Sequence, residues 1–130
     1  MKVLYITYDG LLDPIGASQI LPYLFSLSNP TRSITIISFE KKHKFKSYGK
    51  PLMNKLTKTG INWVPLHFSS KFGLIGKAYD LMKMYVVCIV LTIIKKFKLV
   101  HARGHVAAQI GMILKLTLRS KLIFDFRGLW

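Results

Sequence analysis

The sequence predicts an α/β protein with a Rossmann-like, doubly wound and mostly parallel sheet. Short β-branched runs alternate with longer segments of helical periodicity, and turns that contain glycine or proline separate them. The chain has 130 residues, of which 51% are hydrophobic, so it is long enough for one domain and apolar enough to bury a core. We therefore expect residues 1–130 to form a single Rossmann-like unit.

The chain begins with a predicted strand, helix and second strand. Lys2–Tyr8 is a short apolar run that suits a buried strand, and a turn rich in glycine and aspartate follows it. Ser18–Leu27 has apolar residues three and four apart and predicts a short helix, with Pro22 acceptable in its first turn. Ser33–Phe39 is rich in β-branched residues and predicts the second strand.

A basic segment separates the second predicted strand from the third. Lys41–Lys58 carries several lysines and no acidic residue. Within it, Pro51 suits the first turn of a helix and Gly60 suits a helix end, so we expect a small helix between them. Ile61–Leu66 is the third predicted strand, and Pro65 indicates a position near the edge of the sheet, because proline cannot donate a ladder hydrogen bond.

The second half of the chain repeats the alternation of helix and strand. Lys77–Lys98 predicts a long apolar helix, and Leu99–Ala102 follows as the fourth strand. His105–Leu118 has apolar residues at helical spacing. Leu122–Phe126 is the fifth predicted strand, after which only a few residues remain.

One apolar segment and one cysteine bear on the location of the protein. Met84–Ile94 contains no charge but is about half the length of roughly 20 residues that spans a bilayer, so it predicts either a buried core helix or a helix lying against a membrane. The N-terminal apolar run is too short for a secretory signal. Cys88 has no partner for an internal disulfide. We expect a cytoplasmic protein, with peripheral attachment to the inner face of the membrane as an alternative.

The chain is strongly basic, with 20 Lys and Arg against 5 Asp and Glu and a formal net charge of +15. Its apolar content excludes a disordered polycation. The surplus has three interpretations: a solvated face, a nucleic-acid surface, or a surface for anionic lipid. No reading helix or basic face with interleaved aromatics supports nucleic acid. Phe45 and Tyr48 lie inside Lys41–Lys58 and suit interfacial insertion, so we favour an anionic membrane surface as the partner.

Polar residues follow three predicted strands at the points where those strands end. The groups are Asp9, Gly10, Asp13, Gly16, Ala17 and Ser18 after the first strand, His101, Arg103, Gly104 and His105 around the end of the fourth, and Asp125, Arg127 and Gly128 around the end of the fifth. Ligands of open α/β sheets bind outside the carboxyl ends of the strands. We therefore expect the three groups to converge on one binding site.

The charged and imidazole groups at these positions each have two interpretations. Arg103 and Arg127 suit the bidentate binding of a phosphate or carboxylate, although a salt bridge would also explain each of them, and Asp125 lies two residues from Arg127. His101 is either a ligand contact or a hydrogen-bonded histidine packed at the end of a strand. No residue is assigned as catalytic.

Gly16 and Ala17 precede a helix, where a glycine either lets a ligand phosphate approach the backbone or simply forms the turn.

The sequence lacks the motifs of several common nucleotide, metal and hydrolase sites. The loop has neither the dinucleotide fingerprint nor a P-loop, which disfavours NAD and ATP. The chain has no metal-binding motif, and its few acidic residues disfavour a two-carboxylate hydrolase. We expect no metal and no cofactor.

Four segments together resemble the N-terminal domain of family 4 glycosyltransferases, which are retaining enzymes of the GT-B type. They are YITYDGLLDPIGASQILPYLFSL, ITIISFEK, KLVHARGHVAAQIGMILK and KLIFDFRGLW. The resemblance is collinear and covers nearly the whole chain. It implies an enzyme of two Rossmann-like domains facing a cleft, in which the N-terminal domain holds mainly the acceptor. The C-terminal domain would hold the nucleotide-diphosphate-sugar donor.

The resemblance also implies roles for individual residues. Gly16 and Ala17 stand where the family has a glycine-rich loop near the diphosphate and sugar of the donor, and Ala17 departs from the second glycine that many members have. His101 matches a histidine common at the end of the fourth strand. Arg127 stands where many members have a histidine that contacts the donor sugar, so that role does not carry over. Arg103 and Arg127 would line the cleft.

The predicted function is transfer of a sugar from a nucleotide-diphosphate sugar to a glycan or a lipid-linked acceptor. No segment corresponds to the donor domain, and a doubly wound domain normally continues past its fifth strand. We therefore expect an incomplete N-terminal half of a GT-B fold that does not transfer sugar by itself. The alternative function is a non-catalytic basic domain that docks on a membrane or on another protein.

Overall fold

A five-stranded parallel sheet with helices on both faces forms the described part of the chain, residues 1–69 and 73–126 of a computed structural model. This arrangement confirms the predicted doubly wound α/β class. The elements are β1 (Lys2–Thr7), a π-helical turn (Gly16–Ile20), α1 (Leu21–Leu27), β2 (Ser33–Glu40), α2 (Lys42–Lys58), β3 (Ile61–His67), α3 (Gly73–Lys95), β4 (Leu99–Arg103), α4 (Gly104–Leu118) and β5 (Lys121–Asp125).

The strand order is β3-β2-β1-β4-β5, and all four pairings are parallel. The chain therefore reverses its direction of winding between β1 and β4, which is the topological switch point of the sheet. We call the end of the sheet where the strands finish the carboxyl rim, and the end where they start the amino rim. Strand β3 is an edge strand, as Pro65 predicted.

The residues of each strand alternate between two apolar cores, because successive side chains point to opposite faces of a sheet. On β1, Leu4 and Ile6 pack towards α3 and α4, whereas Val3 and Tyr5 pack towards α1 and α2. The two buried clusters comprise Leu4, Ile6, Ile37, Phe39, Met84, Cys88, Phe97, Val100, Ala102, Ala107, Ile110 and Leu114 on one face, and Val3, Tyr5, Leu11, Ile20, Leu24, Ile34, Ile36, Leu56, Ile61 and Trp63 on the other.

The predicted start of the helix in the basic segment is wrong. Helix α2 begins at Lys42, so Pro51 lies inside the helix and not in its first turn. Phe45, Leu52 and Leu56 lie on one side of this helix and pack into the core, and Pro51 is exposed to solvent. Burial of the apolar side therefore outweighs the local cost of a proline in the helix. Gly60 follows the helix with φ +80°, as predicted for its end.

Helix α3 contains the apolar run that suggested either a core helix or a membrane-facing helix. One side of α3 is a core helix, since Met84 and Cys88 are fully buried. The other side exposes large apolar residues, which are Leu74, Ile75, Tyr79, Met82, Val86, Val90, Ile93 and Ile94. None of the helices within residues 1–69 and 73–126 combines the length and the apolar character that crossing a bilayer requires.

Candidate functional site

The buried guanidinium of Arg103 is the centre of a polar cluster at the carboxyl rim. Arg103 ends β4 and pairs in register with Thr7 of β1 and Asp125 of β5. Its Nη2 donates a hydrogen bond of 2.8 Å to Gln19 Oε1, its Nε lies 3.6 Å from Asp9 Oδ2, and its Nη1 lies 3.9 Å from Asp125 Oδ2. The side chain is only 3% exposed. Two carboxylates thus compensate a charge that would be costly to bury alone.

His101 lies two residues earlier on the same face of β4. Its Nε2 is 3.6 Å from Asp125 Oδ2, so one carboxylate faces both His101 and Arg103. The imidazole ring packs against the rings of Tyr5, at a centroid distance of 4.8 Å, and Tyr23, at 5.7 Å. His101 is therefore a buried histidine in the wall of the cluster, and Tyr23 is its partly exposed neighbour.

Gly16 packs directly against the loop that follows β1. A Cβ atom at this position would overlap the carbonyl oxygen of Gly10 and lie 2.5 Å from the Cα of Leu11. The backbone N–H of Ala17 already donates to the carbonyl of Asp13, at 3.0 Å. Close packing of the backbone at the start of the helix therefore explains why glycine is required at position 16. The approach of a donor phosphate to Gly16 and Ala17 stays a prediction.

Glu40 is a buried carboxylate of this rim that the sequence analysis missed. It ends β2, and its Oε1 accepts hydrogen bonds from the N–H of Leu11, at 2.6 Å, and of Leu12, at 3.2 Å. The pKa of Glu40 is raised to about 7, mainly by burial and also by the nearby Asp13, against the lowering effect of the two N–H donors and of Lys44. Glu40 therefore fixes the β1 loop. The one sequence feature that could have indicated this role is an isolated acidic residue at the end of a strand rich in β-branched residues.

Asp13 belongs to the same loop but does not join the Arg103 cluster. Its Oδ1 lies 2.9 Å from Nζ of Lys44 and 3.6 Å from Nζ of Lys41, both at the start of α2. Partial burial raises the pKa of Asp13, but the hydrogen bonds and charges of these lysines outweigh burial and leave the pKa below its usual value. Asp13 thus ties the loop to α2.

The start of α4 contains two further predicted residues. Gly104 has φ +84°, a left-handed conformation that favours glycine at this sharp strand-to-helix turn. His105 is exposed, and its ring lies 5.7 Å from that of Phe124 and 5.4 Å from that of Phe126. The side chain of His105 therefore contacts the end of β5 and not the Arg103 cluster.

Of the remaining predicted residues, one lies apart from the Arg103 cluster and two lie outside the part of the chain that the structure describes. Ser18 is exposed, and its hydroxyl donates to the carbonyl of Pro14. Arg127 and Gly128 lie outside the described residues. Asp125, considered as a salt-bridge partner of Arg127, faces His101 and Arg103 in the structure.

The cluster has an exposed polar surface and a buried guanidinium beneath it. Asp9 is 49% exposed and Gln19 is exposed, whereas Arg103 is buried beneath them. Within residues 1–69 and 73–126, no three His, Cys, Asp or Glu side chains are arranged to hold a metal ion. Burial raises the pKa of the Cys88 thiol to about 12, so Cys88 is not a nucleophile at neutral pH.

Comparison of the chain with protein-family models, with curated proteins and with solved structures gave no match in any of the three searches.

Proposed function

We propose that this chain is the acceptor-side domain of a retaining sugar transferase, which moves a sugar from a nucleotide-diphosphate sugar to a glycan or a lipid-linked acceptor. The observation that carries this proposal is the position of the Asp9, Gln19, Arg103 and Asp125 cluster. It lies at the carboxyl rim where β1 and β4 are neighbours. That crevice is where open α/β sheets bind their ligands.

The chemistry of the cluster supports a hydroxyl-rich ligand. The carboxylate of Asp9 accepts hydrogen bonds from hydroxyl groups, and the amide of Gln19 both donates and accepts them. The partly exposed ring of Tyr23 offers an apolar surface for the C–H face of a sugar. Because two carboxylates already balance Arg103, this guanidinium positions them and does not attract a diphosphate. The acceptor is thus a better ligand for this rim than the donor.

The same charges favour a binding site for the donor elsewhere. In sugar transfer, the leaving diphosphate must be stabilised by cations and N–H donors held ready for it. We assign those groups to a second, donor-binding domain outside these 130 residues. The purified chain, given UDP-glucose or GDP-mannose and an acceptor glycoside, is then expected to release no nucleoside diphosphate above the buffer rate. Measured transfer by this chain alone would contradict the assignment.

Binding of methyl glycosides tests the acceptor site directly. We expect methyl glucoside, galactoside, mannoside or N-acetylglucosaminide to shift the backbone amide resonances of Asp9, Gln19 and Tyr23 in a ¹H–¹⁵N titration. The Gln19→Ala variant should weaken the binding about fivefold, since one hydrogen bond contributes about 1 kcal/mol. Gln109→Ala, which changes an exposed glutamine on α4, should bind as the wild type does.

Two outcomes would count against an acceptor site at this rim. One is the absence of any shift for all four glycosides at millimolar concentration. The other is an equal loss of affinity in Gln19→Ala and Gln109→Ala, because of these two glutamines only Gln19 belongs to the Arg103 cluster.

A further inference from the structure

The acidic residues of the chain all lie at or near the carboxyl rim. The five are Asp9 and Asp13 in the β1 loop, Glu40 and Asp125 at the ends of β2 and β5, and Asp80, which accepts from the N–H of Ser69 just after β3. The amino rim therefore has no acidic side chain. It instead carries basic residues, namely Lys2, Arg32, Lys58, Lys95, Lys96, Lys98, Arg119 and Lys121.

A cavity of about 680 Å³ opens at the amino rim. It lies between the ends of α3 and α4 and the starts of β4 and β5. Its apolar lining comes from Met1, Ile93, Phe97, Leu99 and Leu118, and its basic lining from Lys96, Lys98, Arg119 and Lys121. The cavity thus combines a hydrocarbon-like wall with four cations and has no carboxylate to neutralise them.

The backbone at two of these cations has an uncommon conformation. Lys96 and Arg119 directly follow α3 and α4, and each has φ 57°. Helices that end in this left-handed conformation usually have glycine there, because a Cβ atom disfavours it. Here both positions instead carry a long cationic side chain that lines the cavity. Two separate helix ends therefore place a positive charge at the same opening.

The helix ends that line this basic opening also carry exposed apolar side chains. Ile94 is 68% exposed in the last turn of α3, and Leu116 is 74% exposed near the end of α4. Ile93 and Leu118, which line the cavity, are also partly in solvent. Basic side chains beside exposed apolar ones are typical of surfaces that insert shallowly into a membrane.

The basic segment and the apolar helix, which suggested membrane binding in the sequence, do not form one surface. Helix α2 packs on the face of the sheet with Val3 and Tyr5, and α3 packs on the opposite face. Phe45 of α2 packs against Trp63 at a ring distance of 5.7 Å, so it is not free to insert into lipid. Tyr48 of α2 is 65% exposed beside exposed lysines, but the amino rim combines four cations with an apolar cavity and several exposed apolar side chains.

We propose that the amino rim docks on an anionic phospholipid bilayer. The phosphate of one lipid lies among Lys96, Lys98, Arg119 and Lys121, part of its hydrocarbon enters the cavity, and Ile94 and Leu116 insert beside it. A nucleic acid would pair with the cations but leave the apolar cavity and both exposed side chains in water. A phospholipid satisfies both parts of the surface.

This docking is independent of the proposed sugar transfer, since it uses the opposite end of the sheet. The strands would run away from the bilayer and hold the carboxyl rim about 20 Å above it, at about 3.3 Å per residue. The glycoside titration and the lipid experiment therefore examine different surfaces, and either can fail without the other.

Vesicle co-sedimentation tests the electrostatic part. The chain should bind vesicles of phosphatidylcholine with about one-third phosphatidylglycerol, and bind pure phosphatidylcholine at least about tenfold more weakly. The double variant Lys98→Glu/Lys121→Glu should lose about tenfold or more in partition coefficient. Lys46→Glu/Lys50→Glu, which makes the same change in charge on exposed residues of α2, should lose less than about twofold. Equal losses in both pairs would overturn the proposal.

The insertion of apolar residues has its own matched pair. Ile94→Ser should lower the partition coefficient about tenfold, because burial of an isoleucine side chain in the interface is lost. Ile75→Ser changes an equally exposed isoleucine at the other end of α3 and should have little effect. A larger loss for Ile75→Ser would place the contact elsewhere and reject the amino rim.

Hydrogen exchange of the wild-type chain gives a test that needs no variant. Anionic vesicles should slow amide exchange in residues 93–98 and 116–121 and leave 42–58 unchanged. Protection of 42–58 alone would contradict the proposal. The proposal would also be contradicted if the chain did not bind the vesicles but bound a short DNA duplex through Lys98 and Lys121. The amino rim would then be a nucleic-acid surface.

Discussion

Replacing Gly16 with alanine is expected to lower the free energy of unfolding by about 3 kcal/mol. The added methyl group would overlap the carbonyl oxygen of Gly10 and lie 2.5 Å from the Cα of Leu11. These are backbone atoms, and Glu40 fixes this part of the loop by accepting from the Leu11 N–H. The loop cannot yield without losing that hydrogen bond. Urea denaturation followed by far-UV circular dichroism measures the change.

Gly111→Ala is the matched control for this substitution. Gly111 is also a buried helical glycine, but its added methyl group would meet the tip of the Leu122 side chain, at 2.6 Å. A side chain of this kind can move, and alanine favours the helix by about 1 kcal/mol over glycine. The stability of Gly111→Ala should therefore stay within about 1 kcal/mol of the wild type. Similar losses in the two variants would show that backbone contact at Gly16 is not special.

The stability of the protein should fall as the pH rises from about 4.5 to about 7. Native Glu40 has a pKa raised to about 7, against 4.5 for the ordinary side chain, so the native state binds more protons than the unfolded chain in this interval. The associated stability is complete below pH 4.5 and is lost above pH 7. At about 1.4 kcal/mol per pH unit, the loss amounts to about 3 kcal/mol.

Glu40→Gln isolates this effect from other titrating groups. Glutamine keeps an oxygen that accepts from Leu11 and Leu12 but carries no charge to bury. At pH 8 the variant should be about 3 kcal/mol more stable than the wild type, and at pH 4.5 the two should be nearly equal. Urea midpoints at both pH values provide the measurement. A difference that does not change with pH would refute this assignment.

Asp13→Asn should behave in the opposite way. The pKa of Asp13 is lowered, so its ionised form stabilises the native state at neutral pH and loses this effect as the pH falls below 4. The variant should therefore be less stable than the wild type at pH 8, because Lys44 and Lys41 lose their partner. This opposite sign separates a specific effect of Glu40 from a general effect of removing an acid.

Much of the fold could be predicted from local patterns. The β-branched run at Ser33–Phe39 and the apolar spacing of His105–Leu118 identified a strand and a helix that the structure contains. Pro51 misled the prediction, because a local rule places proline at helix starts while the packing of Phe45 and Leu56 extends α2 beyond it. A proline inside a helix costs about 3 kcal/mol, and the burial of several apolar side chains outweighs this cost.

The candidate site was predicted only in part. Positions at strand ends correctly indicated that Asp9, His101, Arg103 and Asp125 come together at one rim. A salt bridge was one of the two interpretations of Arg103, but its contact with Gln19 was not predicted, since the two residues are 84 positions apart and meet only because β4 lies beside β1. Glu40 was missed because its partners are backbone N–H groups, which leave no mark in a sequence.

The sequence by itself determined the order of strands and helices and the parallel α/β class, because the periodicity of burial is a local property of the chain. Only the tertiary structure decided which charges face one another. Strand order and register placed all the acids near one rim and left a basic, partly apolar cavity at the other. Such an arrangement depends on contacts between residues far apart in the chain, and these form only when the sheet is assembled.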